Sequence, residues 1–286
     1  MFRKSFRIRQ LLLWLLLVWP LAAVAQVSES FVRLSENADG KPQALEVAIA
    51  RYQDRQGRRV DLVGAIHVAE RDFYQALNQR FAGYDRVLYE LVGDPDGEEL
   101  PASPALAVVG LMQGGMKEAL GLTFQLDEVD YDQPHFVHAD MTAREFGQRM
   151  AERNESMFGT MMQLWAMSVA AEASGAQSSN AMLLRVLLAS DRRQAFKRVL
   201  AESLVDQQFF FEALSGDGGS TLITERNIKA LEVLEAELRA GHTELALFYG
   251  AGHLPDFHRR LVGEYDFEQT RVEWLTAWRF GAESSR

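Results

Sequence analysis

The 286-residue sequence has no cysteine, so it can form no disulfide bond and carry no lipid on a cysteine. It must gain its stability from an ordinary hydrophobic core, unlike the small secreted domains that disulfides hold together. Positive charge is also scarce, because 30 Lys and Arg residues stand against 40 Asp and Glu residues and leave a net charge of −10. That balance argues against nucleic-acid binding and against attachment to anionic lipid, since both need a basic surface.

Long apolar runs are scarce too, and the clearest one lies near the N-terminus. Four basic residues precede an apolar core at 11–19, and the triplet Ala23-Val24-Ala25 follows it. This order is typical of a secretory signal peptide. It predicts cleavage after Ala25 and a mature protein that is periplasmic or secreted. The alternative is that the segment stays attached as an anchor. The run is short for a transmembrane helix, and no later stretch of the sequence is long and apolar enough to span a bilayer.

The region after the N-terminal segment begins with paired strand patterns. Residues 44–52 alternate apolar and polar side chains, a turn containing Gly57 follows, and residues 60–66 form an apolar run. This pattern predicts an antiparallel hairpin at the edge of a sheet. Near the C-terminus, residues 266–278 carry the pattern of a further edge strand.

A predicted strand–helix–strand unit includes the second strand of this hairpin. Residues 70–81 place aromatic and leucine side chains four residues apart, which predicts an amphipathic helix. Residues 85–91 are short and apolar enough to form a strand that is buried on both faces. These patterns predict one mixed α/β domain over residues 26–286, with a central mixed β-sheet and flanking helices.

The middle of the chain has a different character. Residues 106–122 have the pattern of a glycine-containing helix, and residues 124–129 and 134–139 have the pattern of short strands. Thr142 and Glu145 then have the spacing of a capping box, which marks the start of a helix. Residues 143–214 are almost wholly helical in pattern and predict a helical insertion that forms a cap beside the sheet.

Two features of this insertion bear on ligands and partners. Its methionines, at positions 157, 161, 162 and 167, predict either an adaptable apolar groove or ordinary core. Phe209, Phe210 and Phe211 cannot all face one core from a helix, so at least one is expected to contact a pocket, a partner or a second copy of the chain. A homo-oligomer is therefore among the predictions.

The motif Gly-x-x-His occurs twice, each time after an apolar strand. Gly64 leads to His67 and Gly250 leads to His253, while Glu90 ends the strand at 85–91. In open α/β sheets ligands bind outside the carboxyl ends of the strands, so these three side chains are expected at one site. Two imidazoles and one carboxylate match the ligand set of catalytic zinc sites that leave a position for water.

Two further residues are candidates for the same site. Asp140 lies at a predicted strand-to-helix junction, where it is either a metal ligand or a helix cap. Arg226 lies near the start of a helix predicted over residues 220–240, where it either stabilises an anion or forms a surface salt bridge with Glu225 or Glu90. His135 and His138 are also imidazoles, but their spacing on a strand directs them less easily into one site.

These motifs resemble one known family. The two Gly-x-x-His motifs, the Leu88-Tyr89-Glu90 strand end and the segment Glu225-Arg226-Asn227 are similar to the TraB/GumN family, which includes the Tiki proteases. The resemblance covers roughly residues 42–265. It implies an α/β core shared with erythromycin esterases and ChaN-like haem-binding proteins, an arginine of the site at position 226, and the divalent-metal-dependent hydrolysis proposed for the Tiki branch.

The predicted function is thus a periplasmic, metal-dependent hydrolase of the metalloprotease or esterase type. His67, His253 and Glu90 would hold one divalent ion, Mn²⁺, Co²⁺ or Zn²⁺, which acidifies water and polarises the carbonyl of a peptide or ester. Arg226 would stabilise the oxyanion. Alternatively, Glu90 acts as the general base beside a metal that the histidines and Asp140 hold.

Two other classes of function fit the same sequence. Tyr249, His253 and the methionine-rich cap could bind haem or another apolar ligand without turning it over, as is thought of ChaN-like proteins. The chain could also be a non-catalytic interaction module of the same fold.

Overall fold

The computed structural model describes residues 30–93, 120–156, 179–214 and 219–281, together with helical positions 159, 160, 162 and 166. The predicted signal peptide and the predicted helix at 106–122, apart from its last three residues, lie outside these residues. So do three of the four methionines of the cap and the side chains of Phe209, Phe210 and Phe211. Within the described part, no helix is long and apolar enough to cross a membrane.

Nine strands and seven helices are described. The strands are β1 (Val32–Glu36), β2 (Pro42–Gln53), β3 (Arg59–Ala65), β4 (Val68–Ala69), β5 (Arg86–Tyr89), β6 (Thr123–Phe124), β7 (Phe136–His138), β8 (Glu244–Gly250) and β9 (Glu268–Arg279). The helices are α1 (Arg71–Phe81), α2 (Gln125–Glu128), α3 (Ala143–Glu152), α4 (Ser179–Leu188), α5 (Arg192–Leu214), α6 (Arg226–Arg239) and α7 (Leu254–Gly263). A π-helical turn (Thr221–Glu225) precedes α6, and a 3₁₀ turn (Ala251–His253) precedes α7.

Seven of the strands form one mixed sheet, which confirms the predicted α/β class. β3, β8, β5 and β7 are neighbours in that order and run parallel. β2 pairs antiparallel with β3 on one side and with β9 on the other, since Ile49 lies opposite both Val63 and Glu273. β1 pairs with the first half of β2. The two remaining short strands, β4 and β6, pair with each other.

The β2–β3 hairpin is confirmed, but its predicted place at the sheet edge is wrong. β9 pairs along almost the whole of β2, and β3 pairs with β8, so both strands of the hairpin lie inside the sheet. Among the described strands, β9 is one of those at the sheet edge, as predicted. It is anchored by Trp278, which is buried and donates from its indole nitrogen to the Val68 carbonyl oxygen at 2.7 Å.

The strand predicted at residues 124–129 is also wrong, because most of this segment forms the helical turn α2. The apolar and polar alternation there is misleading, since Leu126 is 69% exposed. The turn is fixed instead by polar contacts, including a bond from Asn78 Nδ2 to the Glu128 carbonyl oxygen at 2.8 Å. By contrast, the predicted capping box of Thr142 and Glu145 is present at the start of α3.

Helices cover both faces of the parallel strands and bury most residues of β3, β5 and β8. On one face the aromatic and leucine side chains of α1 pack with Val63 and Phe248. On the other face α6 and α7 pack with Leu62 and Leu247. Adjacent residues of one strand therefore pack on opposite faces of the sheet, because side chains alternate between the two faces along a strand. Burial on both faces leaves the strand ends as the place where polar side chains can meet.

Gly64 lies at a closely packed position of the sheet, so a substitution there tests that packing. A Cβ at this position would lie 2.3 Å from Val47 Cγ1 and 3.2 Å from the Ala48 carbonyl oxygen. We expect Gly64→Ala to lower the free energy of unfolding by about 1–3 kcal/mol in urea titrations, because the added methyl group has no space. Gly147→Ala is the matched control, since nothing lies within 4 Å of a Cβ there.

Gly147 lies inside helix α3, so its alanine variant should gain about 0.5–1 kcal/mol. An unchanged urea midpoint for Gly64→Ala would contradict the described approach of β2 to β3.

Candidate active site

The carboxyl ends of the four parallel strands bring the predicted residues to one edge of the sheet. His67 follows β3, His253 follows β8, Glu90 follows β5 and Asp140 follows β7. His67, Glu90 and His253 line one cavity of about 330 Å³ together with Arg226. Asp140 is buried and reaches this group through Arg226. The expected convergence of strand ends is therefore present, with the arginine at its centre.

Arg226 is a buried cation that links two of these carboxylates. Its Nε and Nη2 donate to the two carboxylate oxygens of Asp140 at 2.9 and 2.6 Å, and Nη2 also donates to Glu90 Oε1 at 2.6 Å. Burial alone would lower the pKa of Arg226, but the bonds and charges of Asp140 and Glu90 raise it above its ordinary value. The salt bridge to Glu90 considered from the sequence is present, but its predicted surface location is wrong, because Arg226 is only 5% exposed.

The backbone before Arg226 has an unusual form. Residues 221–225 make a π-helical turn, and Ser220 Oγ caps it by accepting from the Ile223 N–H at 3.2 Å. The sequence predicted one regular helix here, whereas the structure places α6 after this wider turn. Such turns often occur at functional sites. In this protein the turn brings Leu222 and Ile223 to the cavity wall and begins α6 at Arg226.

Glu90 is held by the arginine and by main chain. Its Oε2 accepts from the Gly250 N–H at 2.6 Å, while Oε1 accepts from Arg226. A Cβ at position 250 would lie 3.2 Å from Oε2, so glycine permits this close approach. Burial would raise the pKa of Glu90, but His253, Arg226, His67 and the Gly250 N–H lower it to about 2. The group is thus a carboxylate at neutral pH.

An amide side chain fixes the proton on His253. Asn227 Nδ2 donates both of its hydrogens, to the His253 carbonyl oxygen at 3.0 Å and to Asp256 Oδ2 at 2.9 Å. Asn227 Oδ1 must therefore accept the third bond, from His253 Nδ1 at 2.6 Å. The Nε2 atom of His253 then carries the lone pair, 3.4 Å from Arg226 Nη1 and 3.6 Å from Glu90 Oε1. Burial lowers the pKa of His253 to about 4, so the ring is neutral at neutral pH.

His67 is held by the same device. Gln125 Nε2 donates to the Tyr131 hydroxyl at 2.8 Å, so Gln125 Oε1 faces His67 Nδ1 at 3.3 Å as an acceptor. The main chain supports this contact, because the Gln125 N–H donates to the His67 carbonyl oxygen at 3.0 Å. The Asn227 oxygen thus fixes Nδ1 as the protonated nitrogen of His253, and the Gln125 oxygen, with its amide oriented as described, favours the same tautomer for His67.

Asn227 and Gln125 were missed as functional residues in the sequence. Asn227 stands beside Arg226 in the Glu225-Arg226-Asn227 segment, and that adjacency was the one available signal. Gln125 lies 58 residues from His67 in a segment whose pattern indicated a strand, so nothing in the sequence connects the two. Both roles depend on tertiary contacts.

The other candidate metal ligands of the sequence form hydrogen bonds within the protein. Thr142 caps α3, so the helix-cap alternative for Asp140 is wrong. Each oxygen of Asp140 instead accepts from Arg226, and Oδ1 also accepts from the Met141 N–H. His135 and His138 each bond a main-chain carbonyl oxygen, of Phe81 and Leu91 respectively.

Tyr249, considered above as a haem-binding residue, is fully buried. Its hydroxyl donates to the Ala139 carbonyl oxygen, and burial raises its pKa well above the ordinary value. It is not one of the described side chains that line the cavity. Haem ligation by a Tyr249 phenolate has no support in this arrangement.

The cavity offers donor atoms of the types that divalent metal ions bind. As the described side chains stand, no group of three or more His, Asp and Glu residues is close enough together to hold one. The chemistry of the donors nevertheless fits a divalent ion, since the cavity holds one carboxylate and two imidazoles whose Nε2 atoms carry lone pairs.

Known proteins offer no direct guide to this site. No protein-family model, curated protein or solved structure matches the chain. The resemblance to the TraB/GumN family stays a prediction from the motifs.

The buried charge cluster makes a prediction about stability. Replacing Arg226 with methionine leaves Glu90 and Asp140 buried without their cation, and we expect a loss of about 3–5 kcal/mol in the free energy of unfolding. Arg239→Met is the matched control, because the Arg239 and Glu235 side chains are 71% and 45% exposed. Its effect should stay within about 0.5 kcal/mol. Equal urea midpoints for the two variants would contradict the described burial of Arg226.

Proposed function

We propose that this protein is a metal-dependent hydrolase of peptides or esters and a member of the TraB/GumN family. One observation carries the proposal: the cavity presents two imidazole lone pairs beside an ionised carboxylate. The amide oxygens that fix His67 and His253 are the kind of outer partner that metal-bound histidines have. The N-terminal sequence pattern supports a periplasmic location for this activity.

His67, His253 and Glu90 would hold the ion. Mn²⁺, Co²⁺ and Zn²⁺ all accept this combination of nitrogen and oxygen ligands. When bound, the ion supplies acidification of water and polarisation of a carbonyl group. Asp140 is excluded from this set in our proposal, because it is buried and is not among the described residues that line the cavity.

The contacts favour Glu90 as a ligand over Glu90 as a general base. An effective base has a pKa close to the working pH. The pKa of Glu90 is lowered to about 2, and both of its oxygens already accept hydrogen bonds. Such a carboxylate holds its negative charge firmly but takes up a proton poorly. It therefore suits charge neutralisation more than proton transfer.

Arg226 is placed to stabilise negative charge that develops on the substrate. Its Nη1 is the least committed nitrogen, with long contacts of 3.4 Å to the Leu222 carbonyl oxygen and to His253 Nε2. Asp140 positions the guanidinium through two bonds, so the group need not reorganise during the reaction. Asp140 is a positioning residue in this proposal.

The overall reaction is a hydrolysis without redox change. The oxygen of water forms a bond to the carbonyl carbon, and the bond from that carbon to the amine or alcohol breaks. The leaving group takes up a proton that the water provides. The residues of the site bind the reactants, hold them in place and stabilise the oxyanion.

Metal content tests the proposal directly. We expect wild-type protein to bind near-stoichiometric Mn²⁺, Co²⁺ or Zn²⁺ by elemental mass spectrometry and to hydrolyse a peptide or ester library. His67→Ala and His253→Ala should lose both properties without unfolding. His242→Ala is the control, because His242 is not among the described residues that line the cavity and forms a partly exposed pair with Glu237 at 3.3 Å. Metal and activity retained in both histidine variants would refute the proposed site.

The amide partners give a graded version of the same test. Asn227→Ala and Gln125→Ala remove the groups that orient the two rings while leaving the rings in place. We expect each change to weaken metal affinity about 10–100-fold, measured by competition with a chelating dye. Unchanged affinity in both variants would show that the amides play no part in presenting the histidines to the ion.

A further inference from the structure

The cavity has two chemically different sides. His67, Glu90, Arg226 and His253 form its polar side. The remaining wall is apolar and comes from several separate elements, with Val32 of β1, Ile66 after β3, Leu204 of α5, Leu222 and Ile223 of the π-helical turn, and Ala251. Leu204 and Leu222 keep part of their surface accessible, so they remain available for contact.

The cavity does not favour an anionic side chain on the ligand. Arg226 is the one cationic side chain among the described residues that line the cavity, and two carboxylates already bond it. In the metal-free protein these three groups leave an excess negative charge in a buried place, where charge is weakly screened. A divalent ion would reverse that balance, but the aliphatic wall would still disfavour a carboxylate side chain, because burying a charge without a partner is costly.

The size of the cavity limits what the apolar wall can take. A volume of about 330 Å³ lies near the lower end of small-molecule sites, which span about 300–1,000 Å³. That space suits one reacting group and one side chain beside it. Contact with aliphatic side chains gains free energy by removing apolar surface from water.

We propose that the substrate carries an uncharged, aliphatic side chain or short acyl group next to the carbonyl that is cleaved. This group packs against Leu204, Leu222 and Ile223 while the carbonyl faces Arg226 and His253. The proposal rests on the proposed function for the position of the carbonyl, but the apolar subsite itself stands on the cavity wall. Leu222 and Leu204 are its specificity-determining residues.

Hydrolysis rates test the preference. The substrates are the ethyl esters of N-acetyl-leucine, N-acetyl-glycine and N-acetyl-glutamate, assayed with metal-loaded protein. We expect kcat/KM for the leucine ester to exceed that for the other two by at least about tenfold, since one methylene in an apolar pocket is worth about 10–200-fold. In Leu222→Asp that preference should disappear. Leu184→Asp is the control, because Leu184 is 55% exposed on α4.

Binding tests the subsite even where hydrolysis is not observed. N-acetyl-leucinamide is titrated into metal-free protein with labelled methyl groups, and N-acetyl-glutamate amide is titrated in parallel. The leucine probe should shift the Ile66 and Ile223 methyl signals at millimolar concentration, and the glutamate probe should not. Leu204→Ala offers a milder variant if Leu222→Asp fails to fold, and it should weaken the binding of the leucine probe.

The outcomes separate the two proposals. Hydrolysis of all three esters at equal rates, with equal probe binding, would overturn the apolar subsite and leave the hydrolase proposal standing. Selective binding of the leucine probe without hydrolysis of any ester would support the subsite and count against the hydrolase. Absence of methyl shifts with both probes would overturn the subsite whatever the activity.

Discussion

The ion pair of Arg226 with Glu90 and Asp140 is the interaction on which the site depends. It joins the start of helix α6 to the ends of two parallel strands, and all three charged groups lie largely out of water. Removing the charges from water costs several kcal/mol for each ion, which the pairing and the Gly250 N–H must offset. The buried charges destabilise the protein unless all three groups are present to pair with one another. Its presence at the carboxyl edge of the sheet therefore points to function more than to stability.

The histidines are organised by a separate and less costly device. Asn227 is one residue along from Arg226, so the start of α6 supplies both the cation and the amide that orients His253. Gln125 provides the equivalent amide to His67 from the short helix α2. The charged side chains and the imidazoles that line the cavity thus come from several elements of the fold. The apolar wall beside them gives a substrate side chain a place to bind.

Much of the fold could be predicted because strand and helix periods are local properties of the sequence. The β2–β3 hairpin, helix α1 and strand β9 follow from such patterns, and the Gly-x-x-His motifs mark two strand ends. The place of the hairpin inside the sheet could not be predicted, since it depends on β9 pairing from more than 200 residues away. Residues 125–128 misled for a related reason, because polar contacts with distant groups fix that turn.

The roles of the site residues likewise divide into those that follow from local patterns in the sequence and those that depend on tertiary contacts. The presence of His67, Glu90 and His253 at one place follows from the rule that strand ends converge in an open sheet. The attachment of Asp140 to Arg226 is a side-chain contact between residues 86 positions apart, so the sequence left its role open. The proton positions on both rings depend on Asn227, whose one signal in the sequence was its place beside Arg226, and on Gln125, which had none.

In the proposed site both imidazoles present Nε2 lone pairs to the cavity, and histidine nitrogen NMR can show whether they do. Long-range correlation spectra of ¹⁵N-histidine-labelled, metal-free protein at neutral pH would show which nitrogen carries the proton in each ring. We expect Nδ1–H for His67 and His253, with assignments from His67→Gln and His253→Gln, and a change in both Nε2 signals when Zn²⁺ is added. Nε2–H rings, with no response to the ion, would rule out the proposed metal site.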